Sequence, residues 1–282
     1  PTDPGDWVTS AEAATDAYRD CGVVNSGWHG TQVASIIAAE TNNSTGIAGV
    51  AWNSRIVPVR VLGKCGEGYD SDIIAGMRWA AGLSVSGVPA NTHPARIINL
   101  SLGGAGTCSS AYQEAIDEIT AAGTLVVAAA GNRSGAVVSP GNCRGVLAVA
   151  GIRHTGTKVG YSSYGAEVGI SAPAGNCVSS TGDCLYPILA ATNSGTSSAA
   201  SSTYTDGTNS SVGTSFAAPQ VAGVAALMLA GNQGLTPGQL ITLIKQSATA
   251  FPSDSSLPSC ETGTNTEGQC NCTTTTCGAG ML

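Results

Sequence analysis

Three short segments carry residue types that could together break an acyl bond. Residues 213–223 read GTSFAAPQVAG, with Ser215 as the hydroxyl nucleophile among small residues. Proline is tolerated only in the first turn of a helix, because deeper it removes a backbone hydrogen bond. Pro219 therefore predicts a helix that starts close to Ser215, putting the hydroxyl among free N–H groups whose dipole favours negative charge. Such a serine suits acyl transfer, and it equally suits a helix N-cap. Residues 28–40, WHGTQVASIIAAE, place His29, one of 3 histidines, at a second predicted helix start, with Gly30 behind it. His93 and His154 fall in turn-like stretches, NTHP and RHTG. Residues 128–132, AAAGN, end an apolar run in Asn132, an uncharged donor at the C-terminal edge of a sheet, where open α/β sheets hold their sites. Read one at a time, the three also fit a cap, a structural histidine and a turn.

These segments need a scaffold, and the composition supplies one. The 282 residues are enough for a sizeable core. Apolar residues make up 42%, which excludes a disordered chain, and charged residues only 10%. The formal net charge of −7, with no Lys/Arg cluster and few aromatics, argues against a nucleic-acid partner. No stretch of 18 consecutive apolar residues occurs, so no membrane span is expected. Residues 216–230, the longest candidate, read as a buried helix. The 10 cysteines are scattered without paired C-x-x-C sites, which favours disulfides in an oxidising compartment over zinc.

Short, β-branched apolar runs at 55–62, 95–102, 124–130, 146–152 and 168–172 predict buried strands. Helical spacing at 29–39, 70–85 and 109–122 lies between them. This alternation predicts an α/β fold, a mostly parallel central sheet with helices on both faces. Residues 194–211 read as a loop or hairpin. The tail at 252–277 reads as a disulfide-held loop, residues 1–27 as a loop or insert, and the whole as one catalytic domain.

The three segments, in this order and at these separations, resemble the subtilisin-like serine proteases. HGTxVA surrounds His29, GTSxAxP surrounds Ser215, Asn132 closes its strand, and SLGG at 101–104 also matches. The resemblance runs from about residue 28 to 282 and is strongest to secreted, cysteine-bearing bacterial members. It implies a three-layer α/β sandwich and a secreted endopeptidase. His29 would take the proton from Ser215 as it attacks a peptide carbonyl. Asn132 and the Ser215 amide would hold the oxyanion. Ser101, Leu102 and Gly103, with Gly66, Glu67 and Gly68 opposite, would bind an extended peptide as an added strand. Gly103, Gly104, Ala130, Gly131 and the Ser139-Pro140-Gly141 turn would wall a roomy first specificity pocket, for large apolar side chains at P1, the residue before the scissile bond. The competing reading is a non-catalytic peptide-binding or scaffold member.

One expected feature is missing. The family's aspartate ends an apolar strand ahead of the histidine, yet Asp3, Asp6, Asp16 and Asp20 follow no such strand. The sequence thus reads as an internal fragment, truncated at both ends, whose acid lies before Pro1 and which is nearly inactive alone. The family resemblance also implies bridges Cys21–Cys65, Cys108–Cys143 and Cys177–Cys184, with Cys260, Cys270, Cys272 and Cys277 pairing among themselves. It implies no catalytic cofactor, a structural Ca²⁺ with Asp3 and Asp6 as candidate ligands, a monomer, and an N-terminal pro-segment that aids folding and inhibits. Gln32 and Gln220 stand where relatives often carry His and are expected to alter packing only.

Overall fold

The computed structural model describes residues 5–176, 186–205, 212–261 and 268–282. Four strands form one parallel sheet in chain order: β1 (Ile97–Leu100), β2 (Leu125–Ala129), β3 (Val146–Ile152) and β4 (Val168–Pro173). Ile97 lies opposite Leu125, and Val126 opposite Val146. β2 is buried along its whole length, as a strand covered on both faces must be.

Helices α1 (Ser10–Ala13), α2 (His29–Ala38), α3 (Asp70–Ala80), α4 (Ser110–Ala121), α5 (Thr214–Gly231) and α6 (Pro237–Gln246) complete the layers. Strand side chains alternate between the two faces. Leu125, Val127, Leu147, Val149 and Ile170 pack with Ala217, Val221, Leu240 and Ile244 of α5 and α6. Ile98, Leu100 and Val126 pack with Ile73, Met77, Ile116 and Ile119 of α3 and α4. α5 is long and apolar enough to cross a membrane by length and composition, but more than half of it is buried inside this fold. Its small residues let it lie close to its neighbours: a Cβ on Gly223 would fall 2.6 Å from Val50 Cβ.

Two expectations about elements need correction. Residues 55–62, expected as a buried strand, form no strand and none of them is buried, because no strand lies beside them among the described residues. Pro219 sits in the second turn of α5, not the first. The proline lacks the N–H that would reach the carbonyl four residues back, at Ser215. That carbonyl instead accepts from Ser101 Oγ at 2.7 Å.

The expected hairpin appears as β5 (Ala191–Asn193) paired antiparallel with β6 (Ser202–Tyr204); residues 206–211 lie outside the described ones. Disulfides join Cys21 to Cys65, Cys108 to Cys143, Cys260 to Cys270 and Cys272 to Cys277. Cys177 and Cys184 lie outside the described residues.

Candidate active site

The C-terminal ends of β1 and β2 and the N-terminus of α5 meet at one place. Ser215 is the second residue of α5, behind Gly213, which caps the helix at φ 146° with no side-chain cap. Its amide is one of the helix's free N–H groups. No described group accepts from it. Asn132 follows Gly131, whose φ of 110° suits glycine and whose added Cβ would strike Val138 at 2.8 Å.

The Asn132 carboxamide is oriented by a residue that the sequence reading passed over. Asn132 Oδ1 accepts from Thr214 N and from Thr214 Oγ1, both at 2.9 Å. Thr214 Oγ1 also accepts from Gly131 N at 3.1 Å. With Oδ1 so occupied, Asn132 Nδ2 has no acceptor among the described residues. Asn132, Thr214 and Ser215 line a pocket of about 390 Å³ with Leu102, Gly103, Ala129, Gly131, Arg133 and Val138. The signal for Thr214 was its hydroxyl beside the nucleophile in GTS. Nothing in the sequence marked Arg133 beyond its place after Asn132.

His29 opens α2 behind Trp28, which holds a left-handed φ of 52°. A bulky residue there is costly and persists only where its surroundings fix it. Here Trp28 Nε1 donates to Gly195 O at 2.7 Å, and Gln32 Nε2 donates to Gly27 O and Thr192 Oγ1. Gln220 Nε2 donates to Pro173 O and Phe216 O. Both glutamines are thus used in packing. The His29 ring meets Phe216, the neighbour of Ser215, edge to face at 6.0 Å between centroids. No described group hydrogen-bonds the imidazole. Burial pushes its pKa down, and the charge of Asp6 pushes it partly back. Asp6 itself accepts from Ser26 Oγ and from Gly27 N, each at 2.9 Å.

Ser215 Oγ donates to Ser101 O at 3.3 Å. Together with the bond from Ser101 Oγ to Ser215 O, this makes a reciprocal clasp between β1's end and α5. Asn99 Nδ2 donates to Ser101 Oγ at 2.9 Å, while Asn99 Oδ1 is buried with no partner.

A second, larger cleft of about 1910 Å³ adjoins the pocket and shares Leu102, Gly103 and Arg133 with it. His29, Ser101, Gly66, Glu67 and Gly68 line this cleft. Ala130 and Pro140 line neither: both are buried, and Ala129 and Val138 form the pocket walls instead. For calcium, Asp3 lies outside the described residues, and Asp6 alone does not provide the six to eight oxygens such an ion needs. Among the described residues, the one group of three metal-type ligands is Cys260, Cys272 and Cys277, all in disulfides.

Comparison with known proteins gives consistent results. An extracellular protease of Xanthomonas campestris pv. campestris is 45% identical over 253 residues, 89% of this chain and 40% of that protein. An extracellular basic protease of Dichelobacter nodosus is 40% identical, over 89% of this chain and 40% of its own length. This chain therefore spans about two fifths of the length of these curated relatives. A solved protease of Pseudoalteromonas arctica PAMC 21717 superposes with a TM-score of 0.83 at 44% identity, covering 99% of this chain and 74% of that one. Residues 3–280 match the Subtilase family, and the chain belongs to that family.

Proposed function

We propose that the chain is the catalytic part of a secreted serine endopeptidase. The observation that carries this is one pocket lined by both Ser215, whose amide meets no acceptor among the described residues, and Asn132, whose Nδ2 has none there either. In the reaction, Ser215 Oγ attacks a peptide carbonyl and its proton passes to His29 Nε2. The oxyanion is held by Ser215 N and Asn132 Nδ2. The C–N bond breaks as His29 returns the proton to the leaving amine, and water then releases the acyl group by the same route. Gly103, Gly131 and Ala129 leave room in the P1 pocket and Leu102 and Val138 give it apolar side chains, which supports a broad preference for large apolar P1 side chains. The names of the extracellular relatives support secretion. A pro-segment, calcium and a monomeric state belong to the same proposal and await their own tests.

The acid that orients His29 is proposed to end a strand lying in the large cleft. β1 has no partner on its outer edge among the described residues, and residues 55–62 line the same cleft as β1. Val33, Ile37, Ala226 and Leu229 line the cleft from α2 and α5, and Ile73, Met77 and Ala80 from α3. A strand parallel to β1 would be covered on both faces, with its C-terminal end beside His29. Without the acid, such triads lose about 10⁴ in kcat, so this chain alone should be slow.

The test is labelling of Ser215 by a fluorophosphonate, with Ser215→Ala as control and peptide mapping of the adduct. Labelling that survives Ser215→Ala refutes the assignment. Adding a synthetic apolar peptide that ends in Asp-Ser-Gly should accelerate labelling; no acceleration counts against the strand.

A further inference from the structure

We propose that Lys158 is a positioning residue for the reaction: it fixes the spacing of the two oxyanion donors, Asn132 Nδ2 and the Ser215 amide, by shaping one turn that anchors both. The inference rests on the endopeptidase reading above. Lys158 follows β3 and is fully buried. Its ammonium has three N–H donors. All three meet carbonyls of the residues that come next in the chain: Val159 O at 3.1 Å, Gly160 O at 2.8 Å and Ser162 O at 3.2 Å. The Tyr164 ring lies 5.1 Å from Nζ. Residues 158–164 are therefore wrapped around their own first side chain.

The groups that this turn leaves over hold the two halves of the site. On one side, Ser163 N donates to Gly131 O at 2.8 Å, and Arg133 N donates to Ser163 Oγ at 3.4 Å. Ser134 N donates to Tyr161 O at 2.9 Å, and Tyr164 N to Gly135 O at 2.8 Å. These bonds pin the backbone both before and after Asn132. On the other side, Tyr161 Oη is 2.6 Å from Ala174 O and 2.9 Å from Gly175 O. Ala174 O also accepts from Gly213 N at 2.9 Å, and Gly213 caps α5 two residues ahead of Ser215. The bonds from Thr214 orient the Asn132 carboxamide; the turn holds the two backbones from which the donors spring. A buried ammonium is a costly way to fill volume, since charge leaves water only at a penalty. What it supplies that an apolar side chain cannot is three donors aimed from one point, and so one fixed shape for the turn.

The experiment uses the chain as it stands and a peptidyl diphenyl phosphonate with a Phe-type P1, whose limiting rate of Ser215 modification and half-saturating concentration are read separately. Urea curves fix conditions under which each variant is folded. Lys158→Met keeps the stem and removes the donors. It should lower the limiting rate about tenfold, the worth of one weakened transition-state hydrogen bond, and change the half-saturating concentration much less. Spacing has no meaning once one donor is gone, so in an Asn132→Ala background the same substitution should cost about twofold or less, while its effect on stability stays whole. Tyr161→Phe, which removes only the hydroxyl facing Ala174 O and Gly175 O, should behave alike, with a loss of about threefold to tenfold. Where Lys158→Met does not fold, Tyr161→Phe carries the test. A limiting rate within twofold of wild type overturns the inference, and so does a loss undiminished by Asn132→Ala, the mark of a residue that only stabilises the fold. An Asn132→Ala variant that reacts like wild type, or modification that survives Ser215→Ala, overturns the endopeptidase reading instead.

Discussion

Replacing Thr214 by Val asks whether the Asn132 carboxamide is aimed by its neighbour. Val keeps the branched shape and removes only the hydroxyl. Two contacts go with it, the 2.9 Å bond to Asn132 Oδ1 and the 3.1 Å bond from Gly131 N. The bond from Thr214 N to Asn132 Oδ1 remains, so the carboxamide keeps one tether of two. Losing such a bond costs about 1 kcal/mol, and leaving the Gly131 amide without an acceptor adds about 1–2 kcal/mol. If that cost falls on the oxyanion geometry, acylation slows by about 30-fold to 150-fold. The ceiling is the loss from deleting the side-chain donor outright, about 10²–10³. The assay is the rate of fluorophosphonate labelling at Ser215, with urea denaturation of the same samples to separate stability from reactivity. Thr214→Ser, which keeps the hydroxyl, should recover most of the rate. If Thr214→Val labels within twofold of wild type while Asn132→Ala drops sharply, the aiming role is refuted. If Thr214→Ser falls as far as Thr214→Val, the methyl group matters and the hydroxyl does not.

Three further outcomes are expected. His29 must be neutral to act as a base, and burial lowers its pKa from 6.5, so labelling should rise with pH through a midpoint below 6.5; a midpoint above 7 in this chain contradicts that. The same depressed pKa makes the unfolded chain bind the proton first, so the His29 contribution to stability is present above about pH 6.5 and lost as pH falls, measurable by comparing His29→Gln in urea. Ser101→Ala leaves Ser215 O without a donor and should cost about 1–2 kcal/mol. In a Pro219→Ala background, which restores an N–H to that carbonyl, the cost should at least halve, and equal costs in both backgrounds reject the clasp. Lys158 is fully buried, with Nζ donating to Val159 O, Gly160 O and Ser162 O, and burial pushes its pKa down to about 8. Lys158→Met strands three carbonyls and should destabilise by about 3 kcal/mol in urea. Because the folded pKa lies below the unfolded one, wild-type stability relative to that variant should rise between pH 8 and 10; a fall across that window contradicts it.

The parts legible in the sequence are those written in consecutive residues. HGT and GTS place a side chain at a helix start by local chemistry alone. β2, β3 and β4 could be read because continuous apolar runs bounded by glycine have few other uses. Residues 55–62 show where this fails: a β-branched apolar run suits a strand, but a strand needs a neighbour, and pairing is not local. Pro219 fails in the other direction. A proline in the second turn is tolerated because Ser101, more than a hundred residues away, donates to the carbonyl the proline cannot serve. Thr214 escaped for a related reason, since its importance lies in the Asn132 carboxamide it holds from 82 residues away in the chain. The bridges Cys21–Cys65 and Cys108–Cys143 came from the family resemblance, as cysteine spacing alone leaves many pairings open.

The strand proposed above would answer three features of the cleft. The outer edge of β1 lacks a ladder, Asn99 Oδ1 is buried without a donor, and the His29 imidazole has no hydrogen-bonding partner among the described residues. β1, Asn99 and His29 all line the one large cleft. A single parallel strand answers all three: its amides pair with β1, one of its N–H groups or side chains reaches Asn99, and its C-terminal residue meets the imidazole. The same strand would give residues 55–62 the neighbour that a ladder requires, which their β-branched run anticipates. Because its side chains would be buried on both faces, it has to be apolar until its last residues and charged only at the end beside His29. The chemistry of the site and the stability of the sheet are therefore one requirement on one segment.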